Sequence, residues 1–332
     1  MTSHVMTQGA WWAVALREQV PVEKTLAVVC EGMDIVLFRD ARGAVHALED
    51  RCPHRRVLLS DGVVLPGGLQ CPYHGWTFDG ASGRCTDIPN LRRDETIPAK
   101  YKAQAFPVEE LNGFIHVWLG PGEPAGALPS ADYLPGQRER FGHAVVAISR
   151  RHYLDIMLDG PQHLLAFPGV QITDFFMGDA RREHGHLVLD RGAIWRGRGP
   201  GPAFVRDHPL VLRTRVPQAA GAITVELLTA QELPLVTVRI AASSHRRGTI
   251  AICWRGYCHA GASVQEPWRV RLRRAICPYV RAPFTVHTQI DGAAIAALPV
   301  APSLERRRGG IAGLSGMGAG DLHADSPACQ AR

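Results

Sequence analysis

Long apolar runs are missing from this chain. No stretch reaches the eighteen or so consecutive apolar residues that a membrane-crossing helix needs, so no membrane partner is expected. Met1 to Ala10 carries neither a basic leader region nor an apolar core, which points to a cytoplasmic protein with reduced thiols. Like charges do not gather into blocks. Arg271-Leu272-Arg273-Arg274 and Arg306-Arg307-Arg308 are short, read as solvated faces, and argue against a nucleic-acid partner. There is no internal repeat. The formal charge of +6 is a modest excess that favours an acidic partner, and 46% hydrophobic residues over 332 positions suffice for one large domain or two.

Two cysteines and two histidines, by contrast, fall in a pair of short motifs close together in the chain. Cys52-Pro53-His54 is followed, after sixteen intervening residues, by Cys71-Pro72-Tyr73-His74. Two thiolates and two imidazoles also suit a structural zinc. The order favours a Rieske [2Fe–2S] centre, in which one iron takes two Cys and the other two His. Each loop gives one of each, and both Cys come first, so they can converge on one iron with both His on the other. Pro53 and Pro72 stiffen the loops. The remaining cysteines read as small buried hydrophobes, including Cys253 and Cys258, which fall on opposite sides of a strand-like run.

The string Ala47-Leu48-Glu49-Asp50-Arg51-Cys52-Pro53-His54-Arg55, continued by Cys71-Pro72-Tyr73-His74-Gly75-Trp76, resembles the Rieske non-heme iron oxygenases. One departure stands out. The family has a small residue, often Gly, after C-P-H-R and then Ala-Pro-Leu-Ser; this chain has Arg56-Val57-Leu58-Leu59-Ser60. A positive charge added there favours the reduced cluster and shifts its potential upward.

Short strands separated by turn residues run from Trp11 to Leu119, as in a small antiparallel β domain. Pro121 to Pro129 is a Pro/Gly-rich connector. Beyond it, strands are expected at His143–Ile148, Leu210–Val216, Ile223–Leu228, Leu235–Ala241 and Thr249–Trp254, and helices at Tyr153–Leu158 and from Val264 through Val280. The expected class is α+β: an all-β Rieske domain at 10–120, a linker at 121–136, and a catalytic-type domain of antiparallel sheet plus helices at 137–332.

The resemblance implies a second metal, a mononuclear iron(II) held by two His and one carboxylate. The family's D-x-x-H-x-x-x-x-H helix falls at Leu154 to Gly169, but the register breaks. Three residues after Asp159 stands Gln162, and five further stands Phe167; His163 is one residue late. Either a local insertion and deletion keep His163 as a ligand and lose the second His, or both are gone. Asp291, in Gln289-Ile290-Asp291-Gly292, takes the place of the family's carboxylate ligand; the plainer reading is a helix N-cap. Asp159 matches the residue that bridges a cluster His of one subunit to an iron-binding His of the next, which implies a homotrimer or mixed trimer. His184 and His186, on one side of a strand, and His143 and His152 are alternative ligands.

Three functions follow as expectations. An oxygenase would take electrons from a ferredoxin or a flavin-containing reductase and hydroxylate or demethylate a small organic substrate with O2. A catalytically impaired oxygenase-like subunit would only carry electrons or support a complete partner. A simple Rieske ferredoxin leaves the roughly two hundred residues after the connector without a purpose.

Overall fold

The computed structural model describes residues 9–92, 94–124, 128, 138–161, 165, 167, 170–195, 209–218, 220–259, 262–264 and 288–290. The apolar runs of the first third form β1 (Ala10–Leu16), β2 (Thr25–Cys30), β3 (Met33–Arg39), β4 (Val45–Glu49), β5 (Val63–Leu65), β6 (Gly68–Gln70), β7 (Thr77–Phe78), β8 (Cys85–Asp87), β9 (Ala105–Phe106), β10 (Val108–Leu111) and β11 (Phe114–Leu119). They make three antiparallel sheets, ordered β1-β11-β10, β2-β3-β4-β9 and β5-β6-β7-β8. Strand β3 is buried on both faces. Its two-residue period sends Ile35 and Leu37 into a core shared with Val14, Ile115 and Val117. Val36 and Phe38 enter a second core with Leu48, Leu69 and Phe78, directly beneath Cys52 and Cys71.

The second half is dominated by one large antiparallel sheet. Its strands are β12 (Arg138–Val146), β13 (Val170–Met177), β14 (Arg181–Glu183), β15 (His186–Trp195), β16 (Pro209–Pro217), β17 (Ala222–Thr229), β18 (Pro234–Ser244) and β19 (Ile250–Cys258). The order is β12-β19-β18-β17-β16-β15-β13, with β14 paired to β15. The helix α1 (Arg150–Asp159) lies against this sheet. Ser149 caps it, its side chain accepting from His152 N, and the helix stops at Gly160, ahead of Pro161. Tyr153 and Met157, four apart, are buried among Leu212, Val225 and Val236. Asp155 and Asp159, also four apart, are exposed. The architecture is the expected α+β one.

Two expectations need correction in detail. The strand expected from His143 begins at Arg138 and ends at Val146. Val264 does not open a helix: it ends a short strand, β20 (Ala262–Val264), paired antiparallel with β21 (Thr288–Ile290). Partners twenty-odd residues away settle such a tripeptide, and its own sequence does not. The rest of the expected helix lies outside the described residues.

The small sheets and the large sheet meet around Arg255. This side chain is 2% exposed and is the largest fully buried one among the described residues. Its guanidinium pairs with Glu139 of β12 and with Glu18, which follows β1. Its Nε donates to the carbonyl of Gly113 at 3.2 Å. The rings of Phe141 and Phe114 flank it at 5.1 and 6.0 Å. Gly113 has φ +74°, and a Cβ there would fall 2.3 Å from the guanidinium, so only glycine lets the β10–β11 turn close on this cation. Nearby, Glu31 N donates to Ser244 O at 2.8 Å and Ser244 N to the Glu31 carboxylate at 2.8 Å. Leu16 and Phe114 pack on Ala241 and Cys253 across the same junction.

Removing one partner of a buried ionic cluster strands the others. Arg255→Met therefore leaves Glu18 and Glu139 facing each other without a cation and is expected to cost about 3 kcal/mol. Thermal unfolding checks this; a melting temperature unchanged from the parent would show that the cluster contributes nothing. A second expectation concerns His116 of β11, whose imidazole burial pushes down to about 4 from an ordinary 6.5. The folded form keeps it neutral while the unfolded chain takes up a proton, so stability is complete above pH 6.5 and falls as pH drops toward 4. The loss is on the order of 2–3 kcal/mol, and His116→Gln should flatten the denaturation profile across that window.

Candidate functional site

Two loops rise from the second core and repeat one backbone pattern. In the first, between β4 and β5, Cys52 N donates to Val57 O at 2.9 Å and Arg56 N to Cys52 O at 2.8 Å. In the second, between β6 and β7, Cys71 N donates to Trp76 O at 2.8 Å and Gly75 N to Cys71 O at 3.2 Å. Each cysteine thus opens a tight loop closed by the residues four and five positions on. The first loop is stapled at its base. Asp50, 3% exposed, accepts from the backbone N and the hydroxyl of Ser60, both at 2.7 Å.

The side chains sort by chemistry. Cys52 and Cys71 point inward and are 1% and 2% exposed. His54 and His74 point outward and are exposed, with ring centroids 4.7 Å apart. Trp76 lies flat against His54 at 4.6 Å with 3° between the planes, and Tyr73 packs on His74 at 3.9 Å. Burial, followed by the backbone N–H of His54 pulling the other way and Cys71 alongside, leaves the Cys52 thiol raised to about 11. A cation bound here must displace those protons. The imidazole of His54 is lowered from its ordinary value by desolvation, by His74 and by Arg55. The donor set is therefore two sulfurs below and two nitrogens above, as separate pairs. Among the described residues no three His, Cys, Asp or Glu side chains converge as a single metal ion requires. A two-metal group that takes sulfur on one side and nitrogen on the other fits this division.

The second site expected from the sequence is only partly in view. Gln162, His163 and Asp291 lie outside the described residues. Phe167, in the register of the second His, is 6% exposed and part of the apolar core with Tyr153 and Met157. Asp159 stands at the end of α1 with its side chain 92% exposed, and Arg191 of β15 reaches it at 3.1 Å. His184 and His186 do not share a strand. His184 (φ +46°) and Gly185 (φ +78°) form the turn between β14 and β15, and His186 begins β15. Alternation suggested one strand there, but Gly185 makes a two-residue hairpin turn the better solution. His143 and His152 are exposed on β12 and in the first turn of α1. Cys30, Cys85 and Cys253 are buried as expected.

Sequence reasoning missed the Asp50–Ser60 staple and the conformation of Arg56. Arg56 has φ +62° and occupies the loop position that Gly75, at φ +70°, takes in the second loop. The family's small residue at this point was the signal. Replacing Arg56 by glycine should stabilise the chain by about 0.5–1 kcal/mol, because left-handed strain is relieved and partly offset by a freer unfolded chain. At the mirror position a Cβ would lie 2.8 Å from Pro89 Cγ, so Gly75→Ala should cost about 1–2 kcal/mol. Opposite signs in paired denaturation curves are the expected result; equal signs would refute the equivalence of the two loops.

The sequence pattern of the Rieske [2Fe-2S] domain matches residues 10–107. The 4beta-methylsterol monooxygenase of Methylococcus capsulatus is 43% identical over 138 residues, 40% of this chain and 37% of that protein. Protein TIC 55 of Pisum sativum is 38% identical over 222 residues, 61% of this chain and 38% of the other. The oxygenase component of dicamba O-demethylase from Stenotrophomonas maltophilia is 42% identical over 124 residues, 37% and 35%. The chain spans about a third of the length of these curated relatives. In fold, the crystal structure of dicamba monooxygenase bound to dicamba superimposes with a TM-score of 0.62 at 23% identity, over 93% of this chain and 91% of that one. Residues 10–107 thus belong to the Rieske [2Fe–2S] domain family, and the chain as a whole shares the fold of dicamba monooxygenase.

Proposed function

We propose that Cys52 and Cys71 hold one iron of a [2Fe–2S] cluster, that His54 and His74 hold the other, and that the chain is the oxygenase component of an electron-fed monooxygenase or dioxygenase. The observation that carries the reading is the division of the donor set: buried thiols and exposed imidazoles on two matching loops. The cluster supplies one-electron transfer, and a mononuclear iron(II) in the second half supplies dioxygen activation. The chain's own residues orient and shield. The Asp50–Ser60 staple fixes the first loop, Trp76 braces the His54 ring, and the apolar core beneath keeps water from the sulfurs. The exposed imidazole edge faces outward, where an electron donor or a second subunit can approach.

In this reading residues 10–120 are the Rieske domain, 121–136 the linker and 137–332 the catalytic-type domain. The donor is a ferredoxin or a flavin-containing reductase, and the substrate a small organic molecule oxidised with O2. His163 and Asp291 are ligands of the mononuclear iron. Asp159, whose carboxylate projects from the end of α1, bridges to the cluster histidines of a neighbour in a homotrimer or mixed trimer. The compartment is the cytoplasm, and no described helix is long and apolar enough to cross a membrane. A second reading, an impaired subunit that carries electrons without a complete iron site, is favoured by one observation: Phe167, in the register of the second His, is committed to the apolar core.

Iron content and EPR of anaerobically purified protein test both. Three irons per chain, one of them lost in His163→Ala and Asp291→Ala, is the outcome for the oxygenase; two irons is the outcome for the carrier. Cys71→Ser should abolish the Rieske signal in either case, since a hydroxyl oxygen is a poor substitute for thiolate. An unchanged signal in that variant would overturn the ligand assignment.

A further inference from the structure

The two cluster loops differ at one backbone-equivalent position in a way their shared geometry does not ask for. Both need a residue in the left-handed region where the loop turns back on its cysteine. The second loop uses Gly75; the first uses Arg56, which accepts strain that glycine would avoid. Strain of this kind is retained where a function compensates for it. Packing does not explain it. The Arg56 side chain is 61% exposed, and its ion pair to Glu49, at 3.7 Å, is long and half in solvent. Such pairs contribute little to stability. What Arg56 adds is a charge that cannot be titrated away, in the loop that carries Cys52 and His54.

We infer that Arg56 sets the reduction potential of the cluster, holding it higher than the same loop would with glycine. This rests on the ligand assignment proposed above. Reduction adds one negative charge to the cluster, and a fixed positive charge in the adjoining loop favours that state. Glu49 opposes it by partly neutralising the guanidinium, so the two side chains form an adjustable pair. The turn that holds Arg56 carries the same backbone hydrogen bonds as the turn that holds Gly75, so a charge is what Arg56 adds to the shared turn. The partner this serves is an electron donor of comparatively high potential, from which a cluster without the charge would be reduced less completely.

The test is an EPR-monitored redox titration of full-length protein at one fixed pH and low salt. The parent is compared with Arg56→Gly, Arg56→Lys and Glu49→Gln. For an exposed charge the expected change in the reduction equilibrium is about threefold. At about 59 mV per decade for one electron this is about 28 mV. Arg56→Gly should move the potential down, Arg56→Lys should leave it near the parent value, and Glu49→Gln should move it up. Arg56→Gly should at the same time melt higher than the parent, which separates the electrostatic role from a structural one. Raising the salt should shrink the differences. Equal potentials in the parent and Arg56→Gly at low salt, or a rise in Arg56→Gly, would overturn the inference while the Rieske signal stands. No Rieske signal in the parent would overturn the ligand assignment instead.

Discussion

A single buried guanidinium makes one body of the two halves of this chain. Arg255 reaches from the large sheet into the turn between β10 and β11, and carboxylates from either side close on it. A charge so nearly free of water is tolerable only when its donors are occupied and its counter-charges are present. Glu18, Glu139 and the Gly113 carbonyl meet that demand from three separate segments. The placement of the sheet β1-β11-β10 against the eight-stranded sheet is therefore fixed by a contact that no one segment can make alone. Directional contacts of this sort fix a register that apolar packing at the same junction, Leu16 and Phe114 on Ala241 and Cys253, leaves less defined.

What could be read from the sequence divides along the same line between local and distant causes. The cluster loops were legible because Cys, Pro, His and Gly act within six residues of one another. Helix α1 was legible because Tyr153 and Met157 recur at helical spacing and Gly160-Pro161 ends the run. Arg255 was not legible as a junction. Its partners lie 116 and 237 positions away, and the surrounding Cys253-Trp254-Arg255-Gly256-Tyr257-Cys258 drew notice for its cysteines. Yet an arginine inside an otherwise apolar strand was itself the clue, since so large a cation is rarely buried without counter-charges. His184 and His186 show the opposite failure. Alternation placed them on one face, and a single glycine between them turned the chain back instead.

The first site is a set of side chains brought together by two short loops, and both its chemistry and its family are in view. The second half shares the fold of dicamba monooxygenase, while Phe167, in the register of the family's second His, belongs to the apolar core. A fold that accommodates a reaction does not by itself perform it. Iron stoichiometry is decisive for this reason: it asks about the site and leaves the scaffold aside.

The two cluster loops do not grow from one sheet. The first leaves β4 of the sheet β2-β3-β4-β9, and the second joins β6 to β7 of the sheet β5-β6-β7-β8. What keeps these sheets at their distance is the apolar filling between them, with Val36, Phe38 and Leu48 on one side and Leu69 and Phe78 on the other. That filling acts as a gauge block for the site. Its thickness sets the separation of the two loops, so a methyl group gained or lost there moves one loop relative to the other. Close-packed interiors transmit such changes with little damping. Residues with no ligating atom can in this way be as exacting in their dimensions as the ligands themselves.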